Sequence, residues 1–231
     1  MERRLKESAY GYMEWLLNQY IHHTRRKVWE PLSEMFPLRQ EGYLMLIRIN
    51  KQHLILNEEM KREIGYFIKK HLIDTSSITF QVNGTENLLA VLALSGSRIE
   101  QEQITQIEEF IQNILVLEKN RIYFAVSSLY SDMESCGNKA YEEAMAAMKY
   151  SFYEEERYLQ AEKYLSDEKQ EDSVGSEAIL NSIKEGNLEK SEAIFEKITE
   201  VLSEHKSVQP DIFKRKIVFF FSESYVIWSP I

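Results

Sequence analysis

Residues 78–94 read Ile78-Thr79-Phe80-Gln81-Val82-Asn83-Gly84-Thr85-Glu86-Asn87-Leu88-Leu89-Ala90-Val91-Leu92-Ala93-Leu94. Two apolar runs flank five residues of turn-forming chemistry, so 78–82 and 88–94 read as the strands of a hairpin. The connection carries Asn83-Gly84, a pair that readily takes positive φ. Working outward, Tyr43-Leu44-Met45-Leu46-Ile47-Arg48-Ile49 is a mostly apolar strand. Asn57 is an N-cap candidate, and a helix over 58–72 follows, with Ile64, Phe67, Ile68 and Leu72 on one face. Downstream, Ile104, Ile107, Phe110, Ile111, Ile114 and Leu115 line a helix over 100–118, and residues 122–126 form a strand. Ser135 or Asn138 then opens a further helix through Ala140, Ala144, Ala147 and Met148. The order is β-α-β-β-α-β-α, and its first six elements follow the split βαβ, ferredoxin-like pattern. A short strand around Arg157-Tyr158-Leu159 would close the sheet edge.

Both flanks read as helix. In residues 1–38, Leu5, Ala9, Tyr12, Leu16 and Tyr20 recur at spacings of 4, 3, 4 and 4, with Met13, Leu17 and Ile21 beside them. That stripe fits either a coiled-coil dimer seam or packing on the next domain. Pro31 and Pro37 punctuate its end. Residues 154–172 are a charged connector. Beyond it, Ile179, Ile183 and Leu188, then Ala193, Ile194, Ile198, Val201 and Leu202, then residues 212–228 after Pro210, mark three helices. The fold class expected is α+β: an antiparallel sheet with helices, flanked by N-terminal and C-terminal helical segments. The divisions are an N-terminal linker or dimerisation helix over 1–40, a sheet domain over 41–165 and a C-terminal helical segment over 174–231. The chain reads as a piece of a longer protein.

Composition narrows the function. The 231 residues are 44% hydrophobic and 28% charged, with a net charge of −9. A DNA-contacting domain is usually basic on one face, so direct DNA binding by these residues is disfavoured. Cys136 is the one cysteine, which excludes an internal disulfide and a cysteine-based zinc site and fits a reducing cytoplasm. No apolar run approaches the ~18 residues that span a bilayer, so no membrane contact is expected. His22, His23, Arg25, Arg26 and Lys27 cluster, but without further ligands at helical spacing they read as a solvated turn. The acidic runs at 154–156 and 167–172 lack the alternating oxygens and central glycine of a calcium loop. There is no phosphate-cradling loop, and no histidine has metal or nucleophile spacing. Neither a catalytic residue nor a metal or cofactor is expected.

The hairpin carries a resemblance. A β-α-β-β-α-β sheet with a glycine-containing acidic turn between its second and third strands resembles the GGDEF diguanylate cyclase fold. Asn83-Gly84-Thr85-Glu86-Asn87 matches that motif at its second glycine and its fourth-position acid only. The resemblance implies one metal-binding acid at the third position, here Thr85, and another at the end of the first strand, here Arg48, Ile49 and Asn50. Phosphate-bridging metals need carboxylates, so the motif is degenerate and the domain inactive. A second stretch, Val126-Ser127-Ser128-Leu129-Tyr130, then Lys139-Ala140-Tyr141-Glu142-Glu143-Ala144 and Ala147-Met148-Lys149-Tyr150, is similar to a pattern in the middle domains of AraC-family response regulators of the YesN type. That likeness implies a two-component regulator of transcription. It also implies a receiver or sensor domain before this region, an AraC-type DNA-binding domain after it, and a homodimer. DNA would be met only through those outer domains. The alternative is a non-catalytic nucleotide sensor, in which Asn83, Gly84 and Glu86 contact GTP or a cyclic dinucleotide.

Overall fold

The computed structural model describes residues 2–165, except 24–25, 52–53, 55, 73–74, 86, 118–120 and 153–156, together with the single helical residue Ala193. The chain divides into two units, Met1–Leu165 and Ser166–Ile231. The expected C-terminal segment, 174–231, lies outside the described residues apart from Ala193.

The first unit is mixed α+β: an open five-stranded sheet with helices on both faces. Its strands are β1 (Tyr43–Ile49), β2 (Ser76–Gln81), β3 (Leu88–Leu94), β4 (Ile122–Val126) and β5 (Tyr158–Gln160), in the order β2-β3-β1-β4-β5. All pairings are antiparallel except β4 with β5. β1 and β3 are apolar because they are interior and covered on both faces; Arg48 alone breaks their run of buried residues.

The helices are α1 (Glu2–His22), α2 (Arg26–Met35), α3 (Glu58–His71), α4 (Gln101–Leu115), α5 (Met133–Lys149) and α6 (Ala161–Leu165). Leu44, Leu46, Ala90 and Leu92 face α1, α2 and α5 through Leu16, Leu17, Leu32, Ala140 and Ala144. On the opposite face Met45, Ile47 and Val91 meet α3 and α4 through Ile64, Ile68, Ile104, Ile107 and Ile111. The Asn57 side chain caps α3, accepting the Met60 N–H at 2.9 Å.

Several expectations are corrected: β2 runs Ser76–Gln81 and not 78–82, and the sheet is not wholly antiparallel, because β5 joins β4 in parallel. The N-terminal stretch is two helices, α1 and α2, and Pro31 lies inside α2 instead of marking an end. The helix α5 is capped by Asp132, not Ser135 or Asn138. The Asp132 carboxylate accepts the Glu134 N–H at 2.9 Å and the Ser135 hydroxyl at 3.0 Å, so Ser135 serves the cap without being it. The helix α4 stops at Leu115, because Val116 turns left-handed with φ 48° and its N–H closes on the Gln112 carbonyl. In the hairpin turn Gly84 takes positive φ (78°) and Asn83 does not. With Thr85 N–H on the Val82 carbonyl, that is the pattern of a type II turn, which needs glycine at its third position.

Residues 1–40, read from sequence as a segment separate from the sheet, belong to the same unit as the sheet. The Tyr20 ring lies against Gly137 of α5, where any Cβ would overlap it, and its hydroxyl donates to the Met133 carbonyl. Asn138 donates to the Ile21 carbonyl at 2.9 Å.

Candidate functional site

The hairpin turn is the first candidate, and several of its polar groups hold it together, although the buried Asn87 Oδ1 has no hydrogen-bond partner among the described residues. Thr85 donates its hydroxyl to the Val82 carbonyl at 2.7 Å. The Gln81 side-chain amide donates to the Thr85 carbonyl at 3.2 Å. Asn87 ties the turn to the end of β1: its carbonyl accepts the Ile49 N–H and its amide donates to the Lys51 carbonyl, both at 2.9 Å. Asn83 and Gly84 are exposed, with open space beside the Gly84 α-carbon. Glu86 lies outside the described residues.

Arg48 stands in register with Leu88, directly after the turn, and with Tyr123 of β4. Burial alone holds its guanidinium below the usual range. Among the described residues no acid pairs with it, and no three His, Cys, Asp or Glu side chains converge where they could hold a metal ion. The positions where the family resemblance puts metal-binding carboxylates thus hold a hydroxyl already donated to the backbone and a half-buried cation.

The second candidate, the stripe on α1, divides between two faces. Leu16 is 0% exposed, and Leu17, Tyr20 and Ile21 are buried with it against the sheet. Tyr12 and Trp15 face outward at 48% and 47% exposure, their rings stacked at 5.9 Å and 18°. Leu5 lies in α1, but its side chain is outside the described residues. In the basic cluster, the His22 ring meets Tyr141 edge-on at 4.9 Å, and burial, then His23, lower its pKa. Lys27 is exposed. Arg25, and the side chain of Arg26, lie outside the described residues.

The stretch that resembles the AraC-family pattern forms a lock at the opposite end of the sheet from the turn. Glu143 of α5 accepts the Tyr130 hydroxyl and, at 3.1 Å, the Ser128 N–H. Tyr130 pairs with Gly42, just before β1. The Tyr130 hydroxyl is held well above its ordinary pKa, first by burial and then by the Glu143 carboxylate. The buried hydroxyl of Ser127 accepts the Leu44 N–H at 3.0 Å. The pattern is therefore a packing and hydrogen-bonding device.

Two of the surface grooves are lined by described residues. One, about 850 Å³, lies beside α4 and β5 and is lined by Ile104, Thr105, Glu108, Arg157, Tyr158 and Lys163. Burial raises the Glu108 pKa against the opposing pull of its ion pair with Arg157. The other, about 470 Å³, lies where α2 ends and α5 begins and is lined by Glu30, Ser33, Glu34, Arg39 and Glu134 among others.

Sequence reasoning missed Glu14 and Asn18 of α1 and Lys61 of α3. Asn18 and Lys61 are buried, and Glu14 is largely so. The sequence holds only their spacing: Tyr10, Glu14 and Asn18 stand at i, i+4 and i+8, one side of a helix, with nothing local to say that β2 meets it.

No protein-family model matches the chain, and no curated protein matches it. Among the described residues, no helix is long and apolar enough to cross a membrane.

Proposed function

We propose that this chain is a signal-transmitting and dimerisation module without catalytic activity, the degenerate GGDEF-like middle region of a bacterial AraC-family two-component response regulator. The observation that carries the proposal is the two-sidedness of α1. One side is integral to the sheet domain through Leu16, Leu17, Tyr20 and Ile21, and the other presents the stacked Tyr12–Trp15 pair. A helix so placed can pair with its copy in a second chain and still report its position to the sheet. The sheet order and the hairpin turn at one end agree with the family reading. Thr85 and Arg48 at the expected ligand positions argue against cyclisation, which needs its metal ligands in place. A receiver or sensor domain would drive α1. Residues 174–231 would pass the change to DNA-binding domains, and the module would work in the cytoplasm.

Sedimentation of the chain tests the dimer. Tyr12→Asp with Trp15→Asp should convert a dimer to a folded monomer; an unchanged dimer would remove this role for the exposed face. Reading the gene on both sides tests the rest. Two helix-turn-helix units downstream support the regulator, and their absence removes it.

The nucleotide-sensor reading has one favouring observation, the half-buried Arg48 guanidinium, which has no acid partner among the described residues and stands in register with Leu88 directly after the turn. Calorimetry with GTP and Mg²⁺ decides it: no heat at millimolar ligand eliminates the sensor.

A further inference from the structure

Strand β2 is one edge of the sheet, and its outward backbone groups are met by side chains of α1. The Tyr10 hydroxyl donates to the Thr79 carbonyl at 3.2 Å. The Glu14 carboxylate accepts the Gln81 N–H at 2.7 Å. The Asn18 amide donates to the Gln81 carbonyl at 2.9 Å and accepts the Asn83 N–H at 2.8 Å. Thr79, Gln81 and Asn83 alternate with Val82, whose N–H bonds inward to the Leu88 carbonyl of the neighbouring chain segment. The two spacings match. Four helical residues rise about 6.0 Å, and two strand residues about 6.6 Å. Helix α1 therefore satisfies the edge much as a sixth strand would, which also blocks edge-to-edge association.

A buried cation reinforces the arrangement. Lys61 of α3, on the other face of the sheet, sits with its ammonium 3.6 Å from Glu14 and 2.5 Å from Glu58. The link between Glu14 and Lys61 closes round the β2 edge and joins helices from the two faces. Small displacements of α1 lose all its bonds to the β2 edge together, leaving Asn18 without its β2 partners, Lys61 with Glu58 alone and four backbone groups poorly paired. A shift of one helical turn would bring Tyr10 opposite Gln81 and Glu14 opposite Asn83, again a donor to the carbonyl and an acceptor for the N–H. One-turn ratchets between packed elements are a known form of switching.

We propose that α1 is a register-locked strap on the β2 edge that moves as one unit, so that displacement of the helix is delivered to the hairpin turn at Asn83. The inference deepens the relay reading and rests on it for the source of the displacement. The first residue of the degenerate motif then becomes the receiving end of a mechanical contact.

Amide hydrogen exchange on the intact chain tests the strap. Asn18→Ala should speed exchange at Asn83 by about tenfold, the scale of one or two buried hydrogen bonds. It should speed Gln81 by a similar factor, although the Gln81 acceptor, Glu14, is untouched. The milder Tyr20→Phe removes a hydroxyl that bonds α5, far round the helix from β2, and should speed the same two amides. Acceleration of Asn83 alone would mean that α1 does not move as a unit and would overturn the inference. Equal acceleration at Leu46 and Val91 would overturn it too, because the opening would then be global. Coupled exchange in a protein that lacks receiver and DNA-binding domains would keep the strap and remove the relay reading.

Discussion

On one face of the sheet, α3 and α4 lay Ile64, Ile68, Ile104, Ile107 and Ile111 over Met45, Ile47 and Val91. On the other, α5 brings Gly137, Ala140, Ala144 and Ala147, and α1 fits the Tyr20 ring against Gly137 and buries the Asn18 amide. The first face is closed by volume. Branched aliphatic side chains interlock in many ways, and similar volumes substitute for one another at modest cost. The second is closed by particular contacts, a ring on a missing Cβ and an amide with named partners. Only such contacts distinguish one helix position from a neighbouring one. The aliphatic face holds the sheet together, and the particular face decides where α1 sits.

The largest effect belongs to the aliphatic face. Ile107→Ala should cost about 3 kcal/mol in urea unfolding, because Ile107 is wholly buried and its loss leaves a cavity. Exchange at Gln81 and Asn83 should rise only as far as exchange across the whole sheet. Gly137→Ala comes next, at about 2 kcal/mol of destabilisation from overpacking against the Tyr20 ring. At an unencumbered helix position the same change would stabilise by about 1 kcal/mol, so the sign alone is diagnostic. A gain in stability would break the contrast between the faces. Tyr20→Ala should relieve Gly137→Ala, giving a strongly non-additive pair.

A smaller effect, on the α1 strap, appears at high pH. Burial, then Glu14 and Glu58, push the Tyr10 pKa up to about 12. The folded chain keeps this proton where the unfolded chain gives it up near 10. The stabilisation is therefore full below pH 10 and is lost as pH rises through 12. Tyr20 is raised too, mainly by burial, and acts in the same direction. Tyr10→Phe should cost about 1 kcal/mol at neutral pH through the lost hydrogen bond. Its unfolding midpoint should fall less steeply than that of the parent between pH 10 and 12. Parallel falls would mean that Tyr10 is as solvated in the folded chain as in the unfolded one.

The same contrast explains what could be read from the sequence. Strands β1, β3 and β4 match the expected bounds residue for residue, since each is an apolar run stopped by polar or turn residues. The faces of α3 and α4 were legible because isoleucine at helical spacing has few other uses. The docking of α1 was not. Its stripe of Leu5, Ala9, Tyr12, Leu16 and Tyr20 runs across two faces, and period alone does not say that Leu16 turns inward while Tyr12 turns out. Asn18 looks like any surface asparagine until β2 lies beside it. Of the candidate site, the turn and its glycine were visible because backbone geometry demands them. The link from Asn83 to α1 spans 65 residues and leaves no local trace.

The smallest effect tests whether the aliphatic face carries strain that its volume can absorb. Val116 ends α4 in the left-handed region at φ 48° while 85% exposed. A β-branched residue is poorly suited there, and helices usually place glycine at this position. The left-handed conformation costs an L-residue roughly 1–2 kcal/mol. Glycine relieves that cost but gives back roughly 0.5–1 kcal/mol in unfolded-state entropy. Because the Val116 side chain is largely in solvent, little packing is lost. Val116→Gly should therefore stabilise the chain by about 0.5 kcal/mol, read as a higher urea midpoint at unchanged slope. Exchange at Gln81 and Asn83 should stay the same relative to the core, because nothing on the strap is touched. A destabilised variant would mean that the isopropyl group packs on something in solution. The end of α4 would then be a place of particular contacts, and the division between the two faces would have to be redrawn.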